Sequence, residues 1–242
     1  MGLSAAVIWQ LMRGQSRAPG LAERLNAFYA PQANAYDQSR EQLLHGRQAL
    51  VDALALKPGE RFVELGAGTG KSLDYLYPTL ATLEQVTLVD LCPALLNQAK
   101  RRAAGHANVQ IIEADVTTWC PAQPADVVLF SYALTMIPDW FKAIDAAFNM
   151  LRPGGRIGVV DFYVSRRCAE PGARQHSVLT RAFWPLWFGH DGVHPSADHL
   201  PYLRNVFQPM LVHEHMAHTA WLFGSGVPWY QFIGQKEDGT HD

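Results

Sequence analysis

The chemistry-bearing residues of this sequence are concentrated in the run Val63-Glu64-Leu65-Gly66-Ala67-Gly68-Thr69-Gly70. Alternating glycines straight after an apolar segment make a tight turn, in which backbone approaches a ligand without Cβ collisions. Open α/β sheets bind their ligands at such turns, beyond the carboxyl ends of the strands. Two acids extend the pattern. Asp90 closes the next apolar run, about 20 residues after the turn, where a carboxylate grips both hydroxyls of a ribose. Asp115, in Glu113-Ala114-Asp115-Val116, follows the third run and stands where an adenine amino group is met. Singly, these features also read as an ordinary strand–helix turn, a solvated strand-end acid and a helix N-cap. Their joint placement points to an adenosine-bearing cofactor. A dinucleotide is the main competitor, but its fingerprint G-x-G-x-x-G needs glycine at position 71, and Lys71 stands there.

Such a site needs a scaffold that brings several strand ends together. After the Lys57-Pro58-Gly59 turn, the pattern predicts strands over 61–65, 86–90, 109–113, 125–131 and 155–162. A helix opened by Pro93 runs through Leu95, Leu96 and Ala99, since proline suits a first helical turn. Another helix over 140–151 is stopped by Arg152-Pro153-Gly154-Gly155. The continuous apolar run at 125–131 suits a strand covered on both faces. From about Tyr163 the texture changes to aromatic residues and histidine: a helix, an irregular loop, and two last strands near 212–218 and 229–234. The expected fold is α/β, a Rossmann-like doubly wound sheet of seven strands, mostly parallel, with a C-terminal antiparallel hairpin. Residues 1–57 form an N-terminal helical cap, and 58–242 the main domain, with the aromatic, His-rich segment at about 163–205 contacting substrate.

With 48% hydrophobic and 17% charged residues in a chain of 242, there is material for a real core. A formal net charge of −2 supplies no basic field to attract nucleic acid. Three dispersed cysteines, without C-x-x-C spacing, suggest neither a disulfide framework nor a metal site and fit a reducing, cytoplasmic setting. The apolar stretch 3–12 is far shorter than the roughly 20 residues that span a bilayer. It has no basic region before it and no convincing cleavage site, as a signal peptide would. Arg13, Arg17 and Arg24 follow it. Two readings stand: an amphipathic helix lying on the inner face of a membrane, or a helix capping the domain.

The series E-x-G-x-G-x-G at Glu64–Gly70, Asp90 after the second strand, and Ala114-Asp115 after the third resembles the class I S-adenosylmethionine-dependent methyltransferases. The resemblance implies S-adenosylmethionine as cofactor. Gly66, Ala67 and Gly68 would border its methionine part, and Glu64 would lie beneath, bonded to the loop or to the cofactor's ammonium. Asp90 would hold the ribose, Leu91 pack near the adenine, and Asp115 with the Val116 amide read the adenine edge. Ser131 and Tyr132 would leave the fourth strand beside the sulfonium, with Tyr36 and Arg47 completing the cofactor set.

Further stretches are similar to one branch of that superfamily: Tyr36-Asp37 with Gly46-Arg47, the run from Ser131 to Pro138, and Val160-Asp161-Phe162-Tyr163. With Phe183 to His194, Pro201-Tyr202-Leu203 and Val227-Pro228-Trp229-Tyr230, they resemble the N-methyltransferase of betaine-lipid synthesis and the methyltransferase half of betaine lipid synthase. That resemblance covers about 29–236. It implies a lipid head-group substrate: the amine of diacylglyceryl-homoserine, converted to a trimethylammonium. A separate aminocarboxypropyl transferase is then the expected pathway partner. Phosphatidylethanolamine, or a soluble amine or phenol, is the alternative acceptor. A non-catalytic cofactor-binding protein is the reading from another class, and the intact turn and acids speak against it.

Methyl transfer from a sulfonium is an in-line displacement. The protein must hold a neutral amine lone pair near the methyl, exclude water and tolerate a cationic product. Tyr132, Asp161 and His190 are the catalytic candidates, with Tyr163 and His194 beside them. Each has a plainer reading: Asp161 as a strand-end acid bonded to nearby amides, and the histidines as solvated loop residues. Trp184 and Trp187 read as core or as a cation cage, and Tyr29 and Tyr36 as closing over the cofactor or packing between helices. Arg47 reads as a carboxylate partner or a surface ion pair.

Overall fold

The computed structural model describes residues 20–32, 43–169, 172–218 and 226–237. Stretch 3–12, Tyr36 and Asp37 lie outside them. Among the described residues, seven strands form one sheet: β1 (Arg61–Leu65), β2 (Gln85–Asp90), β3 (Val109–Glu113), β4 (Ala125–Ser131), β5 (Leu151–Phe162), β6 (Gln208–His218) and β7 (Gly226–Gln235). Their order is β3-β2-β1-β4-β5-β7-β6. The first five are parallel, and β7 runs antiparallel between β5 and β6. The order reverses between β1 and β4, and a crevice opens at such a switch point.

Alternation along the strands builds two core layers. Val63, Leu65, Val128, Phe130, Ile157 and Val159 face α5 (Trp140–Met150), through Ala143, Ile144 and Ala147. Their neighbours Phe62, Val127, Leu129 and Val160 face α2 (Arg47–Ala53) and α3 (Ser72–Leu76), through Leu50, Leu73 and Leu76. Every residue of β4 but its last is buried, as the apolar run requires. Helix α1 (Leu21–Tyr29) packs Leu25, Phe28 and Tyr29 on Cys92 and Leu95, at the start of α4 (Pro93–Arg102), which has Pro93 in its first turn. Helices α6 (Val178–Gly189) and α7 (His199–Val206) come between β5 and β6.

Two expectations need correction. The Arg152–Gly155 turn does stop α5, yet β5 already starts at Leu151. The turn is absorbed as an irregularity opposite Ala125 and Val127, and Gly154 and Gly155 pair with Lys236. The stretch read as an irregular loop contains α7, whose apolar face is Leu200 and Leu203 with a fully buried His199. A histidine and Pro201 hid that face. Among the described residues, no helix is long and apolar enough to cross a membrane.

Candidate functional site

The cleft begins where β1 ends. Gly66 turns the chain at φ 75°, and the amides of Gly66 and Ala67 both donate to the Val89 carbonyl (2.8 and 3.0 Å). A Cβ on Gly66 would lie 2.5 Å from that of Ala133, so only glycine lets this turn approach the loop after β4. The Gly68 amide donates to Asp90 Oδ2 (2.8 Å) and the Cys92 amide to Oδ1 (2.8 Å). Asp90 therefore ties the glycine turn to the start of α4. Burial pushes its carboxyl above the usual range, against the pull of those amides.

Glu64 lies in the floor, one residue before the strand end. The Ser72 hydroxyl, at the start of α3, donates to it. Burial pushes the Glu64 carboxyl up to about 8, a shift opposed by Ser72 and by the charge of Arg47. Arg47 is set by Gly46, at φ 77°, where any Cβ would meet the Trp229 ring at 2.3 Å. The guanidinium stands 5.7 Å over the Tyr75 ring, and its Nε is buried with no hydrogen-bond partner.

The opposite wall is the loop after β4. Tyr132 has φ 56°, a left-handed backbone that costs a side-chain-bearing residue on the order of 1–2 kcal/mol. Its amide donates to the Val160 carbonyl (2.8 Å), its hydroxyl to the His45 carbonyl (2.8 Å), and its ring lies 4.6 Å from that of Phe162. Burial, and the charge of Asp161, raise its phenol well above the ordinary value. From the far side, the Tyr29 hydroxyl donates to Met136 Sδ (2.9 Å) and the Ala94 amide to the Asn26 side-chain oxygen (3.3 Å), fastening α1 over the opening.

The cleft spans about 840 Å³, part of it open to solvent, and a concave site with a few convergent polar groups is where small molecules and cofactors bind. Arg47, Glu64, Gly66, Ala67, Gly68, Asp90, Leu91, Val116, Ser131 and Tyr132 all line it. Asp115 does not: it is exposed, and its Oδ1 accepts from the Thr117 amide (2.8 Å) and hydroxyl (2.7 Å), bracing the turn that brings Val116 to the cleft.

Two catalytic candidates are corrected. Asp161 is fully buried beneath the loop, where it accepts from the Thr135 hydroxyl (2.8 Å), the Thr135 amide (3.2 Å) and the Phe162 amide (2.8 Å). It has the parity of Ile157 and Val159, which turns it toward the α5 layer. Burial raises it to about 7, but it acts as a positioning residue for the 133–136 loop. His190 follows the last turn of α6, exposed and outside the cleft. His194 is exposed too, and only its amide, donating to the Thr135 carbonyl (2.7 Å), engages the loop. The Tyr163 hydroxyl donates to Glu214 (3.1 Å), away from the cleft. Trp184 is core, whereas Trp187 is half exposed.

Sequence reasoning missed Leu44, Ser72 and Met136 as lining residues. The position of Ser72, just past the glycine turn, was the available signal for one of them.

Residues 62–155 match the family model described as a methyltransferase domain. The chain is 31% identical over 153 residues to the demethylmenaquinone methyltransferase of Clavibacter sepedonicus, a match covering 61% of this chain and 60% of that protein. It is 23% identical over 201 residues to a trans-aconitate 2-methyltransferase of Escherichia coli, covering 78% and 76%. A phosphoethanolamine N-methyltransferase of Haemonchus contortus, solved with S-adenosylhomocysteine, superposes with a TM-score of 0.70 over 91% of this chain and 61% of its own, at 14% identity, a likeness of fold. The segment from β1 into β5 thus matches a methyltransferase domain in sequence, and the sheet that contains it shares the fold of that solved methyltransferase.

The donor used by methyltransferases of this class is S-adenosylmethionine, and the residues present fit it. The cleft offers a carboxylate at the end of β2, a buried carboxyl in the floor, and an Arg47 donor without a partner. The two carboxyls suit a ribose diol and an α-ammonium, and the Arg47 donor suits an α-carboxylate, of the cofactor or of an acceptor that carries one.

Proposed function

We propose that this protein transfers methyl groups from S-adenosylmethionine to the amine of diacylglyceryl-homoserine, giving the trimethylated betaine lipid. The observation that carries the reading is Arg47: a cation with a buried, unmatched Nε donor in a cleft otherwise walled near the loop by Leu44, Tyr29, Tyr132 and Met136. Homoserine places a carboxylate beside its amine and suits such a donor. The apolar wall disfavours the ammonium form, so the amine presents its lone pair without a dedicated strong base. Each methylation produces a cation or keeps one, and the Tyr29 and Tyr132 rings offer faces to it.

When bound, the cofactor supplies an electrophilic methyl on sulfur. Asp90 would hold the ribose, Val116 would meet the adenine side, and Glu64 would face the ammonium. The Tyr132 hydroxyl already donates to the His45 carbonyl, so Tyr132 orients the wall and excludes water. Lipid specificity draws its support from the resemblance of the 131–138 and 183–194 stretches to the betaine-lipid enzymes.

A second reading, methylation of a lipid quinol ring, is favoured by the 31% identity to a demethylmenaquinone methyltransferase. Mass spectrometry after incubation with diacylglyceryl-homoserine, phosphatidylethanolamine or demethylmenaquinone separates them. The homoserine lipid is expected to gain up to three methyl groups, and Arg47→Ala to lower that turnover more than it lowers cofactor affinity. Methylation of the quinone alone would establish the second reading.

A further inference from the structure

Helix α6 has two faces of opposite kind. Trp184 and Phe188 are buried against Phe162, Val164 and Val227, in a cluster that reaches Leu44, Tyr132 and Met136 of the cleft wall. The other face is apolar and uncovered: Val178 is 71% exposed, Leu179 80%, Leu186 80%, Trp187 49% and Phe183 42%. Phe183 and Trp187 stack there at 5.5 Å, so two aromatic rings lie together on the surface. A helix that keeps one apolar face in the core has no folding reason for a second one in water.

Charge selects the occupant. The whole chain carries a formal −2, but the segment 164–190 carries Arg166, Arg167, Arg174 and Arg181 against the single acid Glu170, a local balance of +3, with Arg166 paired to Asp198 beyond it (2.8 Å). Arg181 is the only charged residue of α6 itself. Two copies meeting through this face would juxtapose like-charged segments across a self-complementary interface. An anionic surface is matched both by the charge and by the apolar, Trp-bearing stripe.

We propose that the exposed face of α6 docks on an anionic lipid bilayer. Docking there would set the methyl-donor cleft, with which α6 shares its buried cluster, beside the head groups. For its purpose the inference rests on the lipid-acceptor reading; the binding itself stands apart from it.

The test is co-sedimentation of the full chain with phosphatidylcholine vesicles, with and without phosphatidylglycerol. The wild type is expected to sediment with the anionic vesicles and to shift its tryptophan emission to the blue. Leu179→Glu/Leu186→Glu, at two exposed positions, is expected to weaken partitioning by roughly tenfold or more while keeping cofactor affinity, which reports an intact fold. Tyr77→Glu, at an exposed apolar residue elsewhere, should sediment like the wild type. The proposal is overturned if the wild type ignores anionic vesicles or if the double variant binds as well as the wild type. It is also overturned if the face proves to hold a dimer that the double variant dissolves, or if only removal of residues 1–19 abolishes binding. Vesicle binding without methylation of any lipid amine would instead reject the acceptor reading and leave the docking face standing.

Discussion

The two halves of the cleft are built by different means. The donor half, from β1, β2 and the start of α4, is a set of backbone amides held by fixed acceptors: the Asp90 carboxylate takes two amides, and the Val89 carbonyl another two. The acceptor half, the loop after β4, is held from behind by the rings of β5 and α6 and by one acid beneath it, Asp161. A donor that every methyl transfer shares demands fixed hydrogen-bond geometry, whereas an acceptor surface is set by shape and polarity. Changes in the first half should therefore act through affinity, and changes in the second through turnover.

Gly66→Val is the largest perturbation. It combines a left-handed φ with a Cβ 2.5 Å from Ala133, so it should abolish measurable S-adenosylmethionine binding. The cost in stability should be about 2–5 kcal/mol, from backbone strain and overpacking. Calorimetric titration and chemical denaturation check both. Retained affinity would show that the turn is not part of the donor half.

Asp161→Ala should act the other way, leaving cofactor affinity within about threefold while kcat falls tenfold or more, because the 133–136 loop loses its anchor. Its stability cost should be on the order of 2–3 kcal/mol, from orphaned Thr135 and Phe162 donors. Asp161→Asn, which keeps an acceptor for the Thr135 hydroxyl, should recover part of the turnover. A loss of affinity equal to the loss of turnover would erase the distinction between the halves.

Glu64 sharpens the comparison through pH. Its carboxyl is raised to about 8 in the folded protein, so the unfolded chain gives up that proton first. The cofactor-free protein should lose stability as pH rises from about 4.5 toward 8, and Glu64→Gln should flatten part of that slope. Asp161, raised to about 7, contributes to the same slope between about 4 and 7. A bound α-ammonium favours ionised Glu64, so cofactor affinity should rise from pH 6 to 8, with a binding enthalpy that varies with the buffer's ionisation enthalpy. Thermal melts and titrations in two buffers measure these effects.

The smallest effect belongs to His190→Ala. The side chain is exposed and outside the cleft, and turnover should change by less than about twofold. A tenfold loss would return His190 to the acceptor half.

The same division decides what could be read in the sequence. The donor half lies in short contiguous runs, where glycine spacing and strand-end acids carry their own geometry. The turn at Gly66 to Gly68 and Asp90 line one cleft, as the spacing suggested, and Arg47, named through the resemblance alone, lines it too. Asp161 and His190 misled because a residue type at a strand or helix end does not reveal which way it points. Parity along β5 turns Asp161 under the loop, and the end of α6 leaves His190 in solvent. Helix α7 escaped because its period runs through His199, a polar residue type here wholly buried 4.8 Å from the Trp140 ring. Asp115 was placed at the right strand end, but its own turn claims one of its oxygens.

The central claim is that the cleft at the β1–β4 switch point is a site for S-adenosylmethionine in which Asp90 holds the ribose. Titration calorimetry of the wild type and Asp90→Ala with S-adenosylmethionine, and with NAD as the dinucleotide control, tests it directly. The predicted result is one donor site per chain, a loss of affinity of about 100-fold in Asp90→Ala from two charge-assisted hydrogen bonds, and no heat with NAD. Equal affinity in a folded Asp90→Ala protein, or saturable binding of NAD instead, would contradict it.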